Sequence, residues 1–380
     1  MRLRSRSVLA VALLAAGACA SAGGPRSPLP TRGDTWFVAG YHPYWTGDTW
    51  QSYPWDALDR IYFFEVEAGP DGGLEDRHGW PGEWLPLIRR AQSEGVDIVP
   101  TLSMHGADGF EELFASPERV ERLVEETVAL LQATPGLGGL HLDFEVFQPV
   151  DVRVRDGYTA FVARLRRRMA EVDPTYTLSA FALAFDDDDV YSERVLAELT
   201  DYLVVQGYDY HSAGEPNTGP LAPLSGWGRL NWSYVVDRFL ALGVPARKIV
   251  MAVPMYGYEW PTDTGEPGST TRGQGVEIVL APPPGIVPEL IRAPVVADRT
   301  GLRRDPESGV PYYAYRDQSG WRQGWFEDRE SLRAKYRFVR EHGLGGVAIF
   351  PLAYGDSALW ADLRDAFRLP RGAPRPDTPM

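Results

Sequence analysis

Short apolar runs recur along the chain and alternate with amphipathic segments that have helical spacing. Eight of these runs are β-type in composition, and each one ends in polar or aromatic residues. Along the chain they are 37–41, 60–64, 97–102, 139–143, 176–181, 202–206, 249–254 and 346–350. Eight β–α units in a chain of 380 residues predict an α/β fold, namely a (β/α)₈ TIM barrel.

The segments between the runs contain helix signals. Ser116-Pro117-Glu118 offers an N-cap, a proline at the first helical position and an early acid, and apolar residues follow at helical spacing. A second helix with one apolar face is predicted from Tyr158 to Met169. The alternative fold is an open doubly wound sheet, but no Gly-rich phosphate loop follows the first run.

Both ends of the chain and one internal stretch depart from this pattern. Three early arginines, a short apolar run and small residues are typical of an export signal, which we expect over residues 1–18. Residues 19–34 are rich in Gly, Pro and Ser and predict a flexible tether, and 369–380 predict a disordered tail. The barrel is then expected over 35–368, with a small inserted subdomain at about 258–315 between the seventh and eighth strands.

The single cysteine of the chain, Cys19, follows Ala16-Gly17-Ala18. This stretch resembles a bacterial lipobox, so we expect lipidation of Cys19 and an exported, membrane-anchored lipoprotein that faces the periplasm or the cell surface. A plain signal peptide, which would give a secreted protein, is the alternative. With one cysteine, no disulfide can form within the chain, and we expect a monomer.

The formal net charge of −14 becomes more negative once the arginines of the export signal are removed. Such an acidic surface argues against nucleic acid as a partner. Four histidines, His42, His105, His141 and His211, lie near the ends of the runs, but their spacing matches no metal-binding motif. We therefore expect neither a metal nor a cofactor.

The fourth run continues as Leu140-His141-Leu142-Asp143-Phe144-Glu145. Side chains alternate between the faces of a strand, so His141, Asp143 and Glu145 share the face that points into the barrel. Buried carboxylates are costly to desolvate. One interpretation is an inert, hydrogen-bonded polar cluster. The other is a tuned acid, in which an ionised Asp143 raises the pKa of Glu145 so that Glu145 can donate a proton.

Together the motifs resemble those of glycoside hydrolase family 18, the chitinases and their relatives. The family's fourth strand reads D-G-x-D-x-D-x-E, and the corresponding stretch here is 138–145. The sixth-strand motif stands as Gln206-Gly207-Tyr208-Asp209-Tyr210, and "VAGYHPYW" and "VPMYG" resemble the first and seventh strands of the family. The segment from "PYYAYRD" to "GGVAIF" is similar to the spore-cortex and cell-wall hydrolase branch.

The resemblance implies substrate-assisted, retaining hydrolysis of glycans that contain β-linked N-acetylglucosamine, such as chitin or peptidoglycan. Glu145 is the expected general acid and base, Asp143 orients the acetamido group of the substrate, and Tyr208 and Asp209 hold the reacting sugar. The residues expected to bind substrate are Tyr41, Trp45, Phe64, His141, Gln206, Tyr256 and Phe350.

This sequence departs from the family at three positions. Gly138 and His141 stand where the fourth-strand motif has Asp, and Phe350 stands where a Trp is frequent. A neutral His141 could hydrogen-bond Asp143, whereas a charged one would hold Asp143 ionised. The alternative function is a non-catalytic, carbohydrate-binding, chitinase-like lipoprotein, although proteins of that kind typically lose the acid that Glu145 supplies here.

Overall fold

The computed structural model describes residues 36–281 and 290–368. Seven barrel strands come first along the chain: β1 (Phe37–Pro43), β2 (Arg60–Glu67), β3 (Asp97–His105), β4 (Gly139–Glu145), β5 (Thr177–Ala182), β6 (Tyr202–Val205) and β7 (Ile249–Pro254). Six strands of a second sheet follow: β8 (Tyr256–Thr262), β9 (Val276–Val279), β10 (Ile291–Arg292), β11 (Arg303–Arg304), β12 (Pro311–Asp317) and β13 (Gly320–Trp325). The last strand, β14 (Gly346–Phe350), pairs in parallel with β7 and with β1 and closes the barrel.

The helices cover the outside of the barrel or belong to the inserted segment. They are α1 (Leu85–Glu94), α2 (Ala107–Phe114), α3 (Pro117–Ala133), α4 (Val152–Val172), α5 (Glu193–Leu199), α6 (Trp232–Ala241), α7 (Ala293–Thr300), α8 (Arg329–Glu341) and α9 (Ser357–Phe367). None of these helices is long and apolar enough to cross a membrane.

Both helices predicted from the sequence are present. Ser116 caps α3 as expected, because its side chain accepts a hydrogen bond from the backbone N–H of Arg119. Helix α4 begins six residues before the predicted start at Tyr158, since Asp151 is its N-cap and accepts from the N–H of Arg153. The TIM barrel prediction is confirmed, and each of the eight apolar runs forms one barrel strand.

Strand β4 shows how the alternating pattern positions the chemistry. Leu140, Leu142 and Phe144 pack into the apolar layer between the barrel and its helices. His141 and Asp143 point the other way and are buried inside the barrel, at 0% and 3% exposure. The strand ends at Glu145, so this residue lies at the carboxyl mouth of the barrel, where TIM barrels carry their active sites.

The inserted subdomain is a six-stranded sheet with the order β10-β9-β8-β13-β12-β11. It spans 256–325, which is longer than the expected 258–315, because β12 forms an antiparallel hairpin with β13 and β13 pairs with β8. Strand β8 follows β7 after a single residue, Met255, so the sheet rises from the mouth of the barrel. Its own core contains the buried side chains of Trp260, Tyr313 and Trp325.

Several sequence-based expectations fall outside the described residues. These are the export signal at 1–18, the tether at 19–34 with the lipidation site Cys19, and the tail at 369–380. They remain predictions.

Candidate active site

A cavity of about 540 Å³ opens at the carboxyl mouth of the barrel. Its lining residues are Phe64, Asp143, Glu145, Phe147, Gln206, Tyr208, Asp209, Ser212, Glu215, Tyr256 and Phe350. Eight of these belong to the eleven residues that the sequence proposed for catalysis or substrate binding. The other three, Phe147, Ser212 and Glu215, lie in loops after β4 and β6, where no periodic pattern or family motif singled them out.

The two carboxyl groups on β4 are adjacent and share a hydrogen bond. Burial raises the pKa of Asp143 well above its ordinary range, and the charges of Glu145 and Glu65 raise it further. Burial also raises the pKa of Glu145, whereas the positive charge of His105 opposes that shift. Both carboxyl groups are therefore harder to ionise than exposed ones. The expectation that an ionised Asp143 raises the pKa of Glu145 stays a prediction, and the burial of Asp143 opposes its ionisation.

His141 lies beneath this pair and does not reach the cavity. Its Nε2 lies 2.9 Å from the hydroxyl of Tyr41, and its Nδ1 lies 2.9 Å from the hydroxyl of Ser179. Burial and, to a smaller extent, the charge of Arg60 lower the pKa of His141 to about 3, so the ring is neutral. Because both ring nitrogens are occupied, the expected hydrogen bond from His141 to Asp143 is not made.

His141 and Tyr41 were both expected to bind substrate, but the structure places both side chains away from the cavity. Their exposed fractions are 0% and 2%, and neither side chain lines the cavity. Tyr41 lies under the aromatic floor, with its ring centroid 5.5 Å from that of Phe350 and 6.3 Å from that of Phe64. Both residues therefore support the residues that face the substrate.

The glycine at the first position of the fourth-strand motif has a structural explanation. A Cβ at position 138 would lie 2.8 Å from Cγ of Asp97, so the side chain of Asp97 fills the space next to Gly138. Asp97 comes from the neighbouring strand β3 and forms an ion pair of 3.1 Å with Arg60. A carboxylate is thus present near position 138, but a different strand supplies it.

The sixth-strand motif forms the opposite wall. Asp209 has a positive φ of 59°, and it accepts a hydrogen bond of 2.8 Å from the hydroxyl of Tyr256. Burial raises the pKa of Asp209 to about 6, although hydrogen bonds from Tyr256 and Tyr258 oppose the shift. The ring of Tyr208 stacks on Phe350 with centroids 5.9 Å apart. The wall therefore combines a titratable carboxyl with apolar ring faces.

Two aromatic side chains stand at the rim of the cleft and are largely open to solvent. Trp45 is 45% exposed, and its ring meets Phe64 edge-on at 5.8 Å. Phe147, which lines the cavity from the loop after β4, is 54% exposed. Exposed rings beside a polar cleft suit stacking on sugar faces, since a pyranose presents an apolar C–H face.

Two further ionisable pairs adjoin the site, and sequence reasoning missed them. Nε2 of His105 lies 3.2 Å from Oε2 of Glu65, and Nε2 of His78 lies 2.9 Å from Oε1 of Glu67. One side-chain nitrogen or oxygen from each of Glu65, Glu67 and His78 lies within 4.8 Å of the other two. The signal that could have found Glu65 is its place just beyond the second apolar run, at the carboxyl end of a barrel strand.

Comparison with known proteins assigns the family. The model of the glycosyl hydrolases family 18 matches residues 61–355. The chain belongs to glycosyl hydrolase family 18. This family assignment confirms the resemblance drawn from the strand motifs.

Similar proteins include members of the spore-cortex branch. The chain is 30% identical over 312 residues to a Bacillus subtilis (strain 168) protein, YdhD, named as a sporulation-specific glycosylase, and the match covers 78% of this chain and 66% of that protein. It is 24% identical to the cortical fragment-lytic enzyme of the same organism, with coverage of 69% and 57%. The chain thus spans less than two thirds of the length of these two relatives.

Solved structures share the fold. The spore cortex-lytic enzyme SleL of Bacillus cereus matches with a TM-score of 0.71 and 19% identity, over 88% of this chain and 75% of SleL. A family 18 chitinase from Cycas revoluta, in complex with (GlcNAc)₃, matches with a TM-score of 0.73 and 19% identity, over 87% and 99% of the two chains.

Proposed function

We propose that the protein is an exported glycoside hydrolase that cleaves β-linked glycans containing N-acetylglucosamine, with retention of configuration and with Glu145 as general acid and base. The observation that carries this proposal is the pair Asp143 and Glu145, buried side by side at the end of β4 and open to the cleft. Burial raises the pKa of Glu145, which favours the protonated form that an acid acting on a glycosidic oxygen requires.

In the first step, Glu145 gives its proton to the glycosidic oxygen, and the bond between that oxygen and C1 breaks. The carbonyl oxygen of the substrate's own 2-acetamido group forms the new bond to C1, so no protein carboxylate acts as nucleophile. Oδ1 of Asp143 supports this role, because it is buried without a hydrogen-bond partner among the described residues. The amide N–H of the acetamido group supplies the missing partner.

In the second step, Glu145 takes a proton from water, and the oxygen of that water bonds to C1. The bond between C1 and the acetamido oxygen breaks, and the acetamido group and the protonated Glu145 are restored. Because C1 is attacked twice, the product keeps the β configuration. Tyr208 and Asp209 hold the acetamido group and the reacting sugar through both steps, and the hydrogen bond from Tyr256 orients Asp209.

The cleft provides for binding as well as for chemistry. Phe350 and Phe64 form an apolar floor, and Gln206 adds an amide on the same surface. Trp45 extends the surface at the rim. An apolar floor with polar groups at its edge suits a pyranose, which is apolar on its face and polar around its perimeter.

Chitin and peptidoglycan are the two candidate polymers. The similarity to YdhD and to the cortical fragment-lytic enzyme favours peptidoglycan. A similarity of 25% identity to the di-N-acetylchitobiase of Rattus norvegicus, over 82% of this chain, keeps chitin oligomers as a candidate. A lipid on Cys19 would hold a monomeric enzyme near the cell wall, either facing the periplasm or at the cell surface.

A non-catalytic sugar-binding lipoprotein is the second candidate function. Its specific support is the departure of the fourth-strand motif from the family at Gly138 and His141. The retained pair Asp143 and Glu145 favours the enzyme, because a protein that only binds sugar gains nothing from two buried carboxyl groups that are costly to desolvate.

The deciding experiment compares the wild type with Glu145→Gln on chitooligosaccharides, purified peptidoglycan and an N-glycan. We expect the wild type to cut at least one of them, with the β anomer as first product by NMR, and the variant to be slower by about 10²–10⁴-fold. Binding of sugar by the wild type without any cleavage would overturn the enzyme in favour of the binding protein.

A further inference from the structure

The neighbour of Glu145 on the adjacent strand is a histidine, His105. Strands β3 and β4 pair in parallel register with His105 opposite Glu145, and the N–H of Gly106 donates to the backbone oxygen of Glu145 at 3.0 Å. Paired residues of adjacent strands project to the same side of a sheet, about 5 Å apart at their backbones. His105 therefore lies beside Glu145 at the mouth of the barrel.

A third strand supplies the partner of His105. Oε2 of Glu65, just after the second apolar run, lies 3.2 Å from Nε2 of His105, and the side chain of Glu65 is only 9% exposed. His105 itself is half exposed, with 51% of its side chain open to solvent. The imidazole thus contacts the carboxylate of Glu65 and lies on the strand next to Glu145.

The charges around these groups come from several elements. The groups that face His105 are Glu65 and Glu67 from β2 and Glu145 from β4. The groups that face Glu145 are Asp143 on its own strand, His105, Glu65, the Asp209 carboxyl, and the phenols of Tyr41, Tyr191 and Tyr208. The charges of Asp209 and Glu65 repel a charge on Glu145, whereas the hydrogen bond with Asp143 favours it and His105 is the cation of the set that attracts it.

We propose that His105, held by Glu65, is a positioning residue that provides the counter-charge for Glu145 whenever Glu145 has given up its proton. This inference deepens the proposed function and rests on it. Between the two chemical steps, Glu145 is a carboxylate among carboxylates, and an imidazolium beside it stabilises that state. Glu145 itself supplies the transferred proton and regains one from water. His105 therefore neither gains nor loses a proton over the cycle.

Simple electrostatics gives the direction in which His105 shifts the pKa of Glu145. The hydrogen bond to Glu65 raises the pKa of His105, and the charge of Glu145 raises it further. In return the imidazolium lowers the pKa of Glu145. His105→Gln removes the attraction, so the alkaline limb of kcat/KM moves to higher pH, by roughly half to one pH unit for a partly exposed pair. The plateau of kcat/KM falls about threefold, because a weaker acid donates less well.

The first test is a set of pH profiles on chitotetraose with wild type, His105→Gln, His105→Lys and the remote control His342→Gln. We expect His105→Gln to shift the alkaline limb upward and His105→Lys, which restores a cation, to return it toward the wild-type position. His342→Gln leaves the profile unchanged. If His105→Lys behaves like His105→Gln, charge is not the function of His105, and the proposal is overturned.

The second test needs no turnover. The ring resonances of His105 in the free protein, assigned by their loss in His105→Gln, are titrated in wild type, Glu65→Gln and Glu145→Gln. We expect the His105 midpoint to fall in both variants, more in Glu65→Gln, while His342 stays fixed. A midpoint unmoved by Glu145→Gln refutes the pairing. A wild type that cuts no glycan, but whose His105 midpoint does respond, refutes the proposed function and leaves the charge pair standing.

Discussion

Asp143 with Glu145, at the barrel mouth, and Glu327 with Lys335, at the start of α8, are both buried ionisable pairs in this fold. At the second pair, Nζ of Lys335 donates to Glu327 at 2.8 Å, and the hydroxyl of Ser331 donates to the same carboxylate at 2.6 Å. Both side chains are at most 1% exposed. At the first pair, no lysine or arginine lines the cavity. Each pair has one buried carboxyl oxygen without a hydrogen-bond partner among the described residues, Oδ1 of Asp143 and Oε1 of Glu327.

The difference separates a structural role from a functional one. The carboxylate of Glu327 has a cation against it that offsets its charge, next to a helix start that Asp328 caps. The buried carboxyl of Asp143 lies next to another carboxyl with no lysine or arginine in the cavity lining, and a substrate can relieve that. The sequence shows acids in both places, "HLDFE" and "WFEDRES", and only the partners tell them apart.

The largest expected effect is a loss of stability at the buried pair of Glu327 and Lys335. Lys335→Met leaves Glu327 as an unpaired buried carboxylate, and we expect it to lower the free energy of unfolding by about 3–5 kcal/mol. Urea denaturation measures this loss. The double variant Lys335→Met/Glu327→Leu removes both charges and should recover most of it. Equal losses in the single and double variants would mean that packing, rather than the unpaired charge of Glu327, causes the loss of stability.

At the barrel mouth, we expect that removal of a carboxyl group stabilises the fold. Asp143→Asn should abolish turnover yet stabilise the fold at pH 7 by about 1–2 kcal/mol, because it removes a carboxyl whose ionisation the folded state resists. The folded pKa of Asp143 lies above its unfolded value of about 3.9, so the penalty is absent below that pH and grows as pH rises toward the folded pKa.

Denaturation of Asp143→Asn and wild type at pH 4 and pH 7 measures the difference. We expect the gain to be small at pH 4 and larger at pH 7. A gain of the same size at both pH values would show that ionisation of Asp143 does not destabilise the fold.

The smallest expected effect concerns Asp209. It is intermediate between the two pairs because its carboxyl has a hydrogen-bond donor but no lysine or arginine beside it in the cavity lining. It accepts a hydrogen bond from Tyr256, and burial raises its pKa to about 6. Its charge raises the pKa of Glu145, so Asp209→Asn should move the alkaline limb of kcat/KM to lower pH by a few tenths of a unit. This direction is opposite to that of His105→Gln, and Tyr256→Phe, which keeps the charge, is the matched control.

Much of the fold could be read from the sequence, because burial leaves a pattern. Apolar runs with polar ends identified all eight barrel strands, and Ser116 identified the start of α3. The hairpin of β12 and β13 was not expected, since its pairing with β8 depends on residues about 60 positions away. The start of α4 was missed although Val154, which is buried in its first turn, continues the apolar spacing of the helix toward Asp151.

The sequence by itself determined which face of β4 carries the acids, since parity along a strand is a local property. It also gave the family motifs that name Glu145, Asp143, Tyr208 and Asp209. Only the tertiary structure decided the state and partners of these groups. His141 is neutral and bound to Tyr41 and Ser179, and His105 with Glu65 faces Glu145 from two other strands. Burial and the distance between charges set a pKa, and both arise only when distant segments meet in space.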